Sequence, residues 1–236
     1  MDFPGRAICP DPLIRRLQRN GSMRFFPSAL LLLSLFAPSA FAAEVDANAS
    51  YVVTMGGINI AEISVDLSDN GRSYALDLSA NVAGMGSLVA SGTAKASSSG
   101  RSTGAALASD KFDLETRARG ETFSVDVGFA GGNVEAFKVT PPMLDTGDRM
   151  PVERRHLTGV GDFLSAFVLK GDALDTGLCR QSFHIFTGVE RFDLTMRPGG
   201  TDEATSARTG YQGPVVFCTI DYKPISGHFT SSDITT

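Results

Sequence analysis

Tryptophan is absent and tyrosine occurs only four times, so the flat aromatic platforms of sugar-binding clefts are poorly supplied. Charge is also scarce, at 20% of residues, and basic side chains are outnumbered 21 to 26, giving a net charge of −5. That balance excludes a polybasic nucleic-acid footprint. No internal apolar run approaches the roughly 20 residues of a membrane-spanning helix. The 42% apolar content nevertheless suffices for a core, which excludes wholesale disorder.

The longest apolar run lies near the N-terminus, in MRFFPSALLLLSLFAPSAFAAE from Met23. Arg24 supplies a positive start, Leu30 to Phe36 an apolar centre, and Ala40-Phe41-Ala42 the small residues of a peptidase site. The pattern predicts a secretory signal over 23–42 with cleavage after Ala42. A retained anchor is the competing reading, and the run is short for one. Residues 1–22 read as an upstream extension, either from a mis-set start codon or as a lengthened positive region. Cleavage would remove Arg6, Arg15, Arg16, Arg19 and Arg24 with Asp2 and Asp11, leaving 16 basic and 24 acidic residues, net −8. The expected product is a single mature β-rich domain over 43–236, located in the periplasm.

Cleavage also removes Cys9, leaving Cys179 and Cys218. Two cysteines in an exported chain predict one disulfide. A metal pair is the alternative, without a C-x-x-C spacing or a close histidine to favour it.

Period-two alternation dominates the remainder. Tyr74, Leu76, Leu78, Ala80 and Val82 share one parity, with Ser73, Asp77, Ser79 and Asn81 on the other. Phe123, Val125, Val127 and Phe129 alternate with polar or small residues, as do Phe192, Leu194 and Met196. These are half-buried strands. The parity slips between Ile60 and Ile63, which predicts a bulge near Ala61. Turn signals stand at Asp69-Asn70-Gly71, Ser98-Ser99-Gly100, Gly131-Gly132 and Thr187-Gly188. Candidate strands are 50–55, 58–68, 72–82, 88–98, 102–108, 111–118, 121–129, 134–139, 181–187, 190–197 and 214–222. About eleven strands predict a mainly β fold: one curved antiparallel sheet forming an open or incomplete barrel. The stretch 141–161 reads as an irregular excursion.

One short helix is predicted over 163–169, capped by Asp162 and ended by Gly171. Phe163, Leu164, Ala166, Phe167, Val168 and Leu169 surround it, and a helix apolar all round is buried. It is placed in the concave face of the sheet, where Phe163, Leu164, Phe167 and Val168 would line a cavity or complete the core.

The mature chain resembles the Gram-negative family catalogued as domain-of-unknown-function family 3108. The resemblance rests on the opening Tyr51-Val-Val-Thr-Met-Gly-Gly-Ile-Asn-Ile-Ala-Glu hairpin, Arg149-Met-Pro-Val, and Gly161-Asp162-Phe163-Leu164-Ser165-Ala166. It continues through Cys179 to Asp193 and Phe217-Cys218-Thr-Ile-Asp-Tyr-Lys-Pro-Ile-Ser-Gly-His228. Family members more often carry a proline after the capping aspartate, where Phe163 stands here. The resemblance implies an envelope protein without an assigned reaction. A looser similarity of architecture to open-barrel lipoprotein carriers implies acyl chains held within a curved sheet.

No catalytic or metal motif is evident. His156, His184 and His228 are far apart in sequence. Asp162, Ser165 and His156 could suggest a hydrolase, but Ser165 lacks a G-x-S-x-G elbow. Asp77, Asp126 and Asp193 read as solvated strand residues. Gly84-Met85-Gly86 and Gly159-Val160-Gly161 begin a nucleotide-loop pattern without completing it. The expected function is therefore non-catalytic binding of a hydrophobic or lipidic ligand in envelope maintenance, without a cofactor, nucleic-acid partner or integral membrane span. The alternative is an adaptor for an envelope protein without a small ligand. An enzyme is a third possibility.

Overall fold

The alternating segments become ten antiparallel strands in a computed structural model that describes residues 44–84, 91–143, 147–205 and 211–230. Seven form one sheet in sequence order: β1 (Val45–Met55), β2 (Ile58–Asp69), β3 (Ser73–Val82), β4 (Gly92–Ser102), β5 (Leu107–Ala118), β6 (Glu121–Ala130) and β7 (Asn133–Thr140). A three-stranded sheet follows, ordered β10 (Gln212–Ser226), β9 (Arg191–Thr205) and β8 (Ser182–Phe186). Neither sheet closes into a barrel. All described residues fall within the compact unit Ala40–Thr236. The predicted signal and upstream extension lie outside the described residues.

Two sheets thus replace the single sheet expected from the sequence. The separation arises because the connector between β7 and β8 runs between them. Thr158 makes an isolated bridge with Asn133 on β7, and Gly161 makes a parallel bridge with Ile185 on β8. Val160 N–H donates to Gly132 O at 2.8 Å, while Phe186 N–H donates to Gly161 O at 3.0 Å. One irregular segment therefore links both sheets without making a continuous ladder.

Strand count changes for a local reason. Ser98-Ser99-Gly100, read as a turn, lies inside β4, where the pairing with β5 shifts between Ser99 and Gly100. A Cβ on Gly100 would lie 2.2 Å from Ala108 O. Glycine here permits close backbone approach at a bulge rather than reversing the chain. The reversal occurs at 103–106, where Thr103 N–H donates to Ala106 O at 3.0 Å. The candidate strand 88–98, whose first three residues lie outside the described residues, and the candidate strand 102–108 therefore resolve into β4 and the start of β5. The bulge predicted near Ala61 is present: Val53 pairs with Ala61 and Thr54 with Asn59, leaving Ile60 as the extra residue. In the β2–β3 hairpin, Asn70 Oδ1 accepts from Arg72 N–H at 3.0 Å and Ser73 N–H at 2.9 Å.

The main core contains Tyr74 and Leu76 from β3, Phe112 from β5, and Val125, Val127 and Phe129 from β6, covered by Val160, Leu164 and Phe186. Burial of each large apolar side chain contributes about 1.5–3 kcal/mol. The β8–β9 turn sits on this surface. Gly188 has φ +88°, and a Cβ there would be 2.1 Å from Val125 Cγ1. A second cluster joins Ala166, Ile185, Phe192 and Leu194, with Phe183 packed against it.

The predicted 163–169 helix is replaced by a 3-10 turn at Ser165–Phe167. Asp162 does cap the segment, accepting Leu164 N–H at 2.7 Å and Ser165 N–H at 2.8 Å. The chain becomes extended at Val168, with φ −93° and ψ 94°. Lys170 is tied to Asp69, so this segment is tethered on both sides of the turn. These tethers favour an extended route over a helix too short to stabilise itself. Leu164 is buried and Val168 packs against the core, but Phe163 is 42% exposed and Phe167 48%. The fully buried helix in a concave face is therefore incorrect.

Candidate functional site

Two arrangements meet at the irregular connector: a buried polar junction and an apolar groove. In the junction, β3 contributes Tyr74, β4 contributes Ser98, and β5 contributes Ser109 from their core-facing sides. Asp162 is only 1% exposed. Its carboxylate accepts Ser98 Oγ–H at 2.7 Å and a hydrogen bond from Ser109 Oγ–H, in addition to the two backbone N–H groups of its cap.

The proton directions follow from this acceptor. Ser98 gives its proton to Asp162, so Tyr74 O–H donates to Ser98 Oγ across 2.8 Å. Ser165 O–H likewise donates to Ser109 Oγ across 3.1 Å. Burial and the negative charge of Asp162 raise the Tyr74 phenol above its ordinary value, despite opposing hydrogen bonds from the serines. The phenol thereby remains a donor. Two side-chain and two backbone donors occupy the carboxylate's four principal acceptor positions. Ser165 and Asp162 are brought together, but His156 accepts Glu153 N–H at 3.1 Å in a separate capping turn. Asp162, Ser165 and His156, set aside in the sequence as a hydrolase triad, are not joined by hydrogen bonds into one constellation among the described residues.

A second anchor lies at Lys170. Its ammonium donates to Asp69 Oδ2 and Ser102 Oγ, each at 2.7 Å, while Ser102 O–H donates to Asp69 at 2.8 Å. Burial raises the Asp69 pKa, but hydrogen bonds from Lys170, Ser102 and Gly71 N–H outweigh it and leave a net lowering. Nothing local in the sequence marks this ion pair, which spans 101 positions. Only tertiary structure brings those residues together.

The apolar groove lies where β7 meets the 147–152 segment and the β8–β9 turn. Its volume is about 510 Å³. Phe137, Val139, Met143, Met150, Val152 and Val189 line it, together with Arg149. Methionine side chains can adapt to irregular apolar shapes. None of the predicted cavity-lining residues Phe163, Leu164, Phe167 and Val168 belongs to this groove. Val168 instead lines a concavity of about 320 Å³ beside Ser109, Asp162 and Ser165. The sequence signal missed in the 510 Å³ groove was its apolar residues within an apparently irregular excursion.

The outer face of the large sheet is polar. Its register carries a transverse row through Asp66, Asp77, Ser97, Asp113, Asp126 and Lys138. Asp77 and Asp126 are exposed, matching the solvated reading. Asp193 is half-buried: burial raises its pKa, but His184, Arg191 and their charges produce a net lowering. His228 is also half-buried, and its carbonyl accepts Met150 N–H at 2.9 Å.

Cys179 and Cys218 form the expected disulfide, with Cα atoms 5.3 Å apart. It joins the turn before β8 to β10. The family described as Protein of unknown function (DUF3108) matches residues 50–234. The chain belongs to the DUF3108 family. No curated protein and no solved structure matches it. Within this DUF3108 chain, the match includes both polar anchors, the groove and the disulfide. No helix among the described residues is long and apolar enough to cross a membrane.

Proposed function

We propose that this DUF3108 protein is exported to the periplasm and binds a hydrophobic or lipidic ligand without catalysing its conversion, in a role that maintains the cell envelope. The observation carrying this reading is the groove of about 510 Å³ with its mainly apolar lining. That volume lies within the usual range for small-molecule sites, about 300–1,000 Å³. Export is supported by the 23–42 secretion pattern together with the Cys179–Cys218 bridge. The saturated, inward-facing Asp162 carboxylate supports a packing role in preference to catalysis.

Native mass spectrometry of protein purified from periplasm tests ligand carriage. An amphiphile adduct that diminishes in Val139→Glu, while the variant retains its fold by circular dichroism, supports the groove. Ligand-free protein after gentle isolation, with no amphiphile bound on reconstitution, overturns it. The adaptor reading is favoured by a different surface: Phe163 and Phe167 have ring centroids 5.0 Å apart, and Phe192 and Tyr222 continue the aromatic cluster. A stoichiometric protein adduct lost in Phe167→Ser, without loss of amphiphile binding, would assign that surface to a partner.

A further inference from the structure

Arg149 is the charged side chain in the otherwise apolar groove lining. It is 18% exposed at the side chain, and Phe229 covers its guanidinium at 3.9 Å. One terminal nitrogen, Nη1, donates to Gly227 O at 2.6 Å. The Glu190 carboxylate lies 3.6 Å from the same nitrogen, beyond a close charge-assisted hydrogen bond. Arginine has five N–H donors, so this arrangement can hold the guanidinium in place while retaining donor capacity.

Gly227, whose carbonyl holds the guanidinium, itself lines the groove. The groove therefore has an apolar wall and one fixed cation.

On the reading that the groove binds a hydrophobic ligand, we infer that its ligand is a single-chain amphiphile with an anionic head group directed to Arg149. The chain would contact the Phe137, Val139 and Met150 wall, while a carboxylate or phosphate accepts hydrogen bonds from the guanidinium. Glu190 opposes excess positive charge and makes head-group recognition depend on geometry as well as attraction. No covalent step is involved.

The test is displacement of N-phenyl-1-naphthylamine from the full exported chain at neutral pH by dodecanoate, dodecyl phosphate or dodecanol. Without a useful cation, desolvating the charged heads disfavours their binding relative to the alcohol. The inference predicts that at least one anion binds about tenfold more tightly than dodecanol, a change within the range of one charged hydrogen bond. The favoured anion distinguishes carboxylate from phosphate recognition. Arg149→Gln should erase the preference for the anion over dodecanol, and Arg149→Lys should restore part of it. A circular-dichroism spectrum and melting midpoint matching the parent's are the fold control for these variants. Equal affinity for all three heads in the parent protein, or an undiminished anion preference in folded Arg149→Gln, would overturn the assignment. Failure of every amphiphile to bind would instead overturn the groove's ligand-carriage reading as well.

Discussion

Ser98 donates to Asp162 at 2.7 Å across 64 sequence positions, joining β4 to the irregular connector within the core. Asp162→Ala would leave two serine hydroxyls and two backbone N–H groups without this acceptor. Each unsatisfied buried group costs about 1–3 kcal/mol, with relaxation reducing their sum. The expected loss is about 3–5 kcal/mol, in the range of severe buried-network disruptions. Asp162→Asn should lose less because one amide oxygen can still accept. Chemical-denaturation curves check this ordering; equal stability of parent and Asp162→Ala would remove the proposed structural role.

Lys170→Met should destabilise by about 3 kcal/mol at neutral pH by removing a buried ion-pair partner. The Asp69 pKa is lowered overall, so its ionisation contributes stability above the unfolded value of 3.8 and loses that contribution as pH falls through the folded value. The parent–variant stability difference should therefore be greatest above the unfolded pKa and contract at lower pH. Denaturation across that pH range checks the sign. A difference that grows on acidification contradicts this assignment.

Cys218→Ser removes a bridge between residues separated by 39 positions. The chain-entropy model assigns roughly 4 kcal/mol to a loop of this size through restriction of the unfolded state. Oxidised parent should unfold at higher denaturant than the variant, and reductant should affect the parent much more strongly. The same shift in both proteins would point away from the Cys179–Cys218 bridge. Non-reducing peptide mapping provides the direct covalent check.

Sequence parity correctly places Tyr74, Leu76, Val125 and Val127 in the core, because strand side chains alternate between faces. It cannot determine the path of the connector, where distant polar anchors override the apolar pattern at 163–169. Phe167→Asp is consequently expected to change stability by less than about 1 kcal/mol, as befits a half-exposed site. Leu164→Asp should instead cost several kcal/mol because it buries an unpaired carboxylate. Thermal melts of the two variants distinguish these environments; equal large losses would restore the all-round-buried assignment. The apolar groove was less legible than the core because its lining combines β7, Pro142, Met143, residues 149–152 and the β8–β9 turn.

The consecutive order of β1 through β7 has a kinetic consequence. Each new strand can pair with the strand immediately preceding it, so assembly avoids long loop closure during growth of the large sheet. The Asp162 and Lys170 contacts must wait until the connector returns to that sheet across 64 and 101 positions. Pulse-labelled hydrogen exchange should show protection in β2–β6 before protection of the connector's anchored amides. Simultaneous protection would indicate that the distant tethers belong to the nucleus instead of locking an already assembled ribbon.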